Sequence, residues 1–149
     1  MRWLLVIAFL IPAIAHAELL SSGQIVVVDG DTIDVEGERY RMIGYDTPEK
    51  ATPRRAVGPN ERALAERASK RLDEILESGQ IDLREVRCSC PEDKIGTRFC
   101  NGGRKCAILS VDSKNVGDTL IAEGLARKFK CYKTSCAKLP DWPKITGDR

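Results

Sequence analysis

The stretch Gln24-Ile25-Val26-Val27-Val28-Asp29-Gly30-Asp31-Thr32-Ile33-Asp34-Val35-Glu36-Gly37-Glu38-Arg39-Tyr40-Arg41-Met42-Ile43-Gly44-Tyr45 decides the fold. Its β-branched run Ile25-Val26-Val27-Val28 stops at the turn pair Asp29-Gly30, and Thr32, Ile33 and Val35 resume an extended pattern. A second turn at Glu36-Gly37-Glu38 leads into a third strand, residues 39–43, where charged and apolar side chains alternate as in a half-buried antiparallel strand. The reading is an antiparallel meander of three strands.

Outward from the meander, a loop rich in Pro, Gly and Arg runs from Thr47 to Pro59. Residues 60–78 then carry Leu64, Ala68, Leu72, Ile75 and Leu76 at spacings of three and four, one apolar stripe of an amphipathic helix. Asn60 is the expected N-cap and Gly79 the expected stop. Residues 81–86 and 106–111 read as two further strands separated by a polar loop that carries cysteines. Residues 115–123 read as a short helix ended by Gly124, and residues 127–132 as a last strand. The tail from Lys133, with Pro140, Trp142 and Pro143, shows no helical period. Strands first, one long helix, then a late pair of elements predict a small α+β barrel with helices at its side.

The length of 149 residues suits one domain. A formal net charge of +2 gives no overall basic field, so any polyanion must be met by locally concentrated cations. The start Met1-Arg2-Trp3, an apolar run over residues 4–15 and the small-x-small end Ala15-His16-Ala17 read as a signal peptide over residues 1–17, leaving a domain at 18–149. A membrane anchor is the alternative, but the run is shorter than the ~20 residues that span a bilayer. The expectation is a secreted or periplasmic monomer with no membrane attachment after cleavage.

Export changes how Cys88, Cys90, Cys100, Cys106, Cys131 and Cys136 are read. In an oxidising compartment this even set implies up to three disulfides in the C-terminal half, with the connectivity open. A zinc site is the rival, but the spacing lacks the paired CxxC of zinc ribbons and no histidine helps. His16, the only histidine, leaves with the signal peptide. That excludes Ser-His-Asp and Cys-His nucleophilic sites, histidine-ligated hydrolases and histidine-based ribonuclease chemistry. A hydrolytic mechanism must then rest on carboxylates, arginines, lysines and a hard cation.

Two acidic clusters lie at strand ends: Asp29-Gly30-Asp31-Thr32 and Asp46-Thr47-Pro48-Glu49. Each alone is also an ordinary turn sequence. Converging carboxylates without histidine suit an oxygen-loving cation such as calcium.

In this order, Val28-Asp29-Gly30-Asp31-Thr32 followed by Arg41-Met42-Ile43-Gly44-Tyr45-Asp46-Thr47-Pro48-Glu49 resembles the staphylococcal nuclease (thermonuclease) family. Gly103-Arg104 before an apolar strand is similar to that family's second arginine element, and Val116 to Gly124 with Gly-Leu-Ala at 124–126 is similar to its sequel. The resemblance runs from Gln24 to Tyr132. It implies an OB-fold-type five-stranded β-barrel with flanking helices. It further implies Asp31, Asp46 and the Thr47 carbonyl as calcium (Ca2+) ligands, Glu49 as the residue that activates or positions water, and Arg41 and Arg104 as binders of the scissile phosphate. The expected substrate is DNA and RNA, cleaved with low sequence specificity.

The chain also departs from the family pattern. The loop before Gly103-Arg104 is longer by several residues and carries Cys88, Cys90 and Cys100. Gly102 replaces the aromatic that normally precedes the Gly-Arg pair. Lys130 takes the place of a second aromatic, while Tyr132 keeps the companion substrate-binding position. Base stacking contributes ~1–3 kcal/mol per base, so phosphate contacts are expected to supply more of the binding. The family's further C-terminal helix has no counterpart after Trp142, and the disulfides are expected to clamp the C-terminal half in its place. The alternative functions are a non-catalytic OB-fold module that binds nucleic acid or another polyanion, and an exported accessory protein acting on an acidic polysaccharide.

Overall fold

The computed structural model describes residues 20–52, 56–132, 135, 136, 138, 141 and 142. The expected signal peptide lies outside the described residues, as do Pro140 and Pro143 of the tail. Among the described residues no helix is long and apolar enough to cross a membrane.

The meander forms as read. Strands β1 (Ile25–Asp29), β2 (Thr32–Val35) and β3 (Glu38–Met42) pair antiparallel in sequence order. A register shift between Val27 and Asp29 bulges β1 just before the Gly30-Asp31 turn. Such a bulge bends the strand and re-aims the residues that follow it. The expected third strand, residues 39–43, forms within one residue at each end and stops at Met42. Gly44 takes φ +94°, in the left-handed region that glycine enters without strain, and the chain leaves the sheet as β4 (Gly44–Asp46).

Helix α1 spans Pro59–Glu77 and buries Leu64, Ala68, Leu72, Ile75 and Leu76, the stripe expected from the sequence, together with Ala65 and Ser69. Its N-cap is Gly58 rather than Asn60, because Pro59 at the first helical position has a preset φ and no N–H to satisfy. Its C-cap is Ser78, and Gly79 has a different role from a helix stop: a Cβ there would overlap the Asp112 carboxylate, which accepts the Gln80 N–H at 2.8 Å.

Strand β5 (Ile81–Val86) pairs antiparallel with β6 (Lys105–Val111), and β6 lies parallel to β3. The sheet therefore runs β1-β2-β3-β6-β5, five strands of mixed sense curled into a half-barrel, with the two-residue β7 (Lys114–Asn115) on β6. A bridge from Leu20, just ahead of β1, to Ile81 of β5 draws the two edges together. Helix α2 (Val116–Ala122) is capped by the Asn115 side chain, which accepts the Asp118 N–H at 3.2 Å. Beyond it the expected last strand divides into β8 (Arg127–Phe129), which pairs with β4, and β9 (Cys131–Tyr132), which pairs with β10 (Ser135–Cys136). The OB-type α+β fold expected from the resemblance is the fold observed.

One apolar core joins the inner faces of the sheet to α1 and α2, with Ile33, Leu72 and Leu120 fully buried in it. Gly117 sets the seam between α2 and β4: a Cβ there would overlap the Tyr45 ring. Overpacking of this kind costs about 1–3 kcal/mol. Gly117→Ala is expected to lower stability by that amount in urea unfolding, and an unchanged midpoint would show that the seam yields freely.

All six cysteines are paired, as Cys88–Cys106, Cys90–Cys100 and Cys131–Cys136. The C-terminal half is disulfide-stabilised, but the bonds are local and do not tie the tail to the barrel. Two staple the long loop between β5 and β6, where Cys88, Cys100 and Cys106 bury a small satellite core with Val86. The third closes the β9–β10 hairpin.

Candidate active site

The bulge in β1 and the turn after it bring Asp31 inward, where it is 1% exposed. Gly30 makes this possible, since a Cβ on it would lie 2.8 Å from both the Ala68 Cβ of α1 and the Thr47 Cγ2. Tyr45 donates its hydroxyl to the Gly30 carbonyl at 3.2 Å and holds the turn from below. The turn, α1 and the end of β4 are thus packed against one another without a gap for a larger side chain.

Around Asp31 the structure collects most of the residues expected from the sequence. Its Oδ2 accepts the Thr47 backbone N–H at 3.0 Å, and its Oδ1 accepts the Thr32 hydroxyl at 3.2 Å. Arg41 Nη1 forms an ion pair with Asp31 Oδ1, and Arg41 Nη2 donates to Asp46 Oδ1 at 3.0 Å. One guanidinium therefore bridges the two carboxylates assigned to the metal. β3 supplies the arginine, while the turn after β1 and the end of β4 supply the acids.

Arg104 is brought to the same place, although it follows the long cysteine-bearing loop. Its Nη1 donates to Thr32 Oγ1 at 3.2 Å, and its Nε donates to the Asn101 carbonyl at 2.7 Å. The long loop before it does not displace it, because the Cys88–Cys106 bridge returns the chain to β6 in register with β3. Burial lowers the Arg104 pKa, and the nearby Arg41 lowers it further, while Asp31, Asp29 and Glu49 pull it back up. The two guanidiniums repel each other, and an anion between them would relieve that repulsion.

Glu49 sits half-buried past Pro48, with its backbone N–H on Glu61 Oε1 of α1 at 3.4 Å. Its charge contributes a small upward pull on the Arg104 pKa. Lys130 is exposed after β8 and lines a cavity beside Arg41. Tyr132 is 71% exposed in the β9–β10 hairpin and does not line that cavity.

The sequence reading missed Arg127. Its Nη2 lies 3.4 Å from Asp46 Oδ2, and its guanidinium stacks 3.9 Å from the Trp142 ring centre. Asp46 is thus held by arginines on both oxygens. The signal was absent from the local sequence, because Asp46 faces Arg127 only through the β4–β8 register.

Burial raises the Asp31 pKa from 3.8 to about 7, against the pull of Arg41 and with Asp29 adding to the rise. A folded-state pKa above the unfolded one favours the folded chain fully below pH 4, and that advantage is lost as pH rises through 7. In a chelating buffer, the stability difference between the native chain and Asp31→Asn should therefore move toward the variant between pH 4 and pH 8. The shift should be up to roughly 4 kcal/mol. Urea unfolding at both pH values reads it, and a pH-independent difference would refute the buried-acid assignment.

The residues present fit a hard cation. The donors are oxygens, and two carboxylates already converge on a single positive group. Among the described residues no group of three His, Cys, Asp or Glu side chains gathers to hold a metal. Backbone carbonyls and water must complete the shell, as they do for calcium and not for zinc.

A curled five-strand sheet of the OB-fold class thus brings two carboxylates and two arginines together, with no imidazole among the described residues. The chain belongs to the staphylococcal nuclease homologue family, whose model matches residues 39–144. Asp31 lies ahead of that match and is joined to the site by the geometry above. The chain is 37% identical over 123 residues to the SPbeta prophage-derived endonuclease YokF of Bacillus subtilis, covering 78% of this chain and 37% of that protein. It is 37% identical over 110 residues to endonuclease YncB of Bacillus subtilis, covering 71% and 46%. It is 35% identical over 105 residues to the thermonuclease of Staphylococcus intermedius, covering 68% and 55%. The chain thus spans about half or less of the length of these relatives.

Proposed function

We propose that this chain is an exported, monomeric, calcium-dependent nuclease that hydrolyses phosphodiester bonds of DNA and RNA with low sequence specificity. The observation that carries the reading is the convergence of Arg41 and Arg104 beside Asp31, Asp46 and Glu49. The endonuclease and thermonuclease names of its relatives support it, and the paired cysteines suit an oxidising compartment.

Asp31, Asp46 and the Thr47 carbonyl would hold the calcium, which supplies Lewis-acid polarisation of a phosphate oxygen when bound. Arg41 and Arg104 grip the phosphate through planar forks whose N–H pairs match its oxygens. Because both guanidiniums are fixed before substrate arrives, they stabilise the negative charge that develops on phosphorus without reorganising. Thr32 orients two of the groups, donating to Asp31 and accepting from Arg104. Glu49 orients the attacking water and takes up its proton. Phosphate oxygens are common to every nucleotide, so a site built on them reads little base sequence.

The test is incubation of the full chain with single-stranded DNA and with RNA, in calcium or in a chelator. Cleavage in calcium alone supports the proposal. Binding without cleavage in either buffer would favour the non-catalytic OB-fold module instead.

A further inference from the structure

The loop between β5 and β6 carries a side chain that its own packing does not explain. Phe99 is 69% exposed although the adjacent Cys100 is buried and bridged to Cys90. The exposure does not come from a loose segment. The Phe99 N–H donates to Thr97 Oγ1 at 3.3 Å, the Cys100 N–H to the Thr97 carbonyl at 3.0 Å, and the Gly103 N–H to the Cys100 carbonyl at 2.9 Å. Two disulfides fasten the loop to β6 and to itself. The chain thus presents a large apolar ring to water on a stapled support.

The surroundings of the ring say what it suits. Arg98 lies 4.9 Å and Lys94 5.9 Å from its centre, and both are themselves exposed, so the ring stays accessible with them in place. Phe99 lines a cavity of about 700 Å³ whose other walls include Arg41, Arg87, Lys128, Lys130 and Phe129. That volume lies in the range of small-ligand sites. Arg41, which also lines this cavity, is the phosphate-binding arginine proposed above. A flat apolar ring among cations, in a cavity that shares Arg41 with the proposed phosphate site, matches a nucleobase carried on a polyanionic strand.

We propose that Phe99 is a base-stacking residue: the stapled loop is one wall of a nucleotide subsite, and Phe99 stacks on a base whose strand continues into the Arg41–Arg104 site. This rests on the nuclease reading. It also changes the expectation drawn from Gly102 and Lys130, because the lengthened loop that lacks the family's aromatic brings an aromatic of its own from three residues earlier.

The experiment separates the two readings. A single-stranded oligonucleotide carrying 2-aminopurine is titrated into the full chain, into Phe99→Ala and into Phe99→Trp, each on a Glu49→Gln background in calcium. The fluorescence of 2-aminopurine is quenched when it stacks. The native ring and Phe99→Trp are expected to quench it, whereas Phe99→Ala is expected to quench little and to bind roughly tenfold more weakly, within the range set by one lost stack. In the cleaving chain the same substitution should raise KM about tenfold and change kcat much less. An exposed ring contributes little to the core, so thermal unfolding of Phe99→Ala should match the parent. Equal quenching and affinity in Phe99→Ala, or no binding by the parent, overturns the stacking assignment whether or not the chain cleaves. Absence of cleavage with quenching retained would instead remove the hydrolase reading and leave the subsite standing.

Discussion

Arg41→Ala is expected to lower cleavage of single-stranded DNA by about three orders of magnitude or more, in the range measured for arginines that stabilise phosphoryl transition states. It is also expected to destabilise the chain in chelator. Arg41 bridges Asp31 and Asp46 from a largely buried position. Removing one partner of a buried pair leaves uncompensated charge, at about 3–5 kcal/mol. Burial opposes the charge on Arg41, yet Asp31 and Asp46 outweigh it and hold its pKa above the ordinary value. The two acids therefore gain as much from the arginine as it gains from them. Asp31 can escape by taking up a proton, so the loss should be greatest above pH 7. Calcium is expected to stabilise the variant more than the native chain, because it meets two carboxylates with no competing guanidinium. Thermal unfolding with and without calcium checks this, and an equal calcium-induced rise in Tm in both proteins would contradict the shared site.

Glu49→Gln is expected to reduce kcat by about two to four orders of magnitude while leaving KM nearly unchanged. The amide keeps the size of the carboxylate but cannot accept the proton of the attacking water. The chain offers no imidazole as a substitute among the described residues, since its one histidine is His16. Stability should change little, because Glu49 is half-buried and its backbone N–H still reaches Glu61. Initial rates on a fluorogenic oligonucleotide read the effect. Activity within threefold of the native chain would remove Glu49 from the mechanism.

These effects fall on residues that were legible because the local chemistry is compressed into short segments. Asp29 to Thr32 must turn tightly, and Gly30 is the residue that lets α1 approach that turn. Residues 41–49 hold one arginine and two acids within a strand end and a turn. The apolar stripe of α1 was readable because helical packing repeats every three to four residues. Errors clustered where a distant contact decides a boundary. The last strand, residues 127–132, divides into β8 and β9 because nothing in those residues names the partners, β4 for the first and β10 for the second.

What the sequence determined alone was the chemistry available: carboxylates and arginines at strand ends, a single histidine at position 16, and an even set of cysteines. Side-chain type and short-range periodicity are local properties, so they survive being read in one dimension. The tertiary structure decided which of these groups meet. It brought Arg104 back beside Asp31, as its 3.2 Å contact with Thr32 records at a sequence separation of 72. It paired Asp46 with Arg127, closed the cysteines within loops instead of between tail and barrel, and set Phe99 on a rigid wall facing outward. Each of these depends on strand register and on the curl of the sheet, which are set by the burial of the whole core and not by any segment within it.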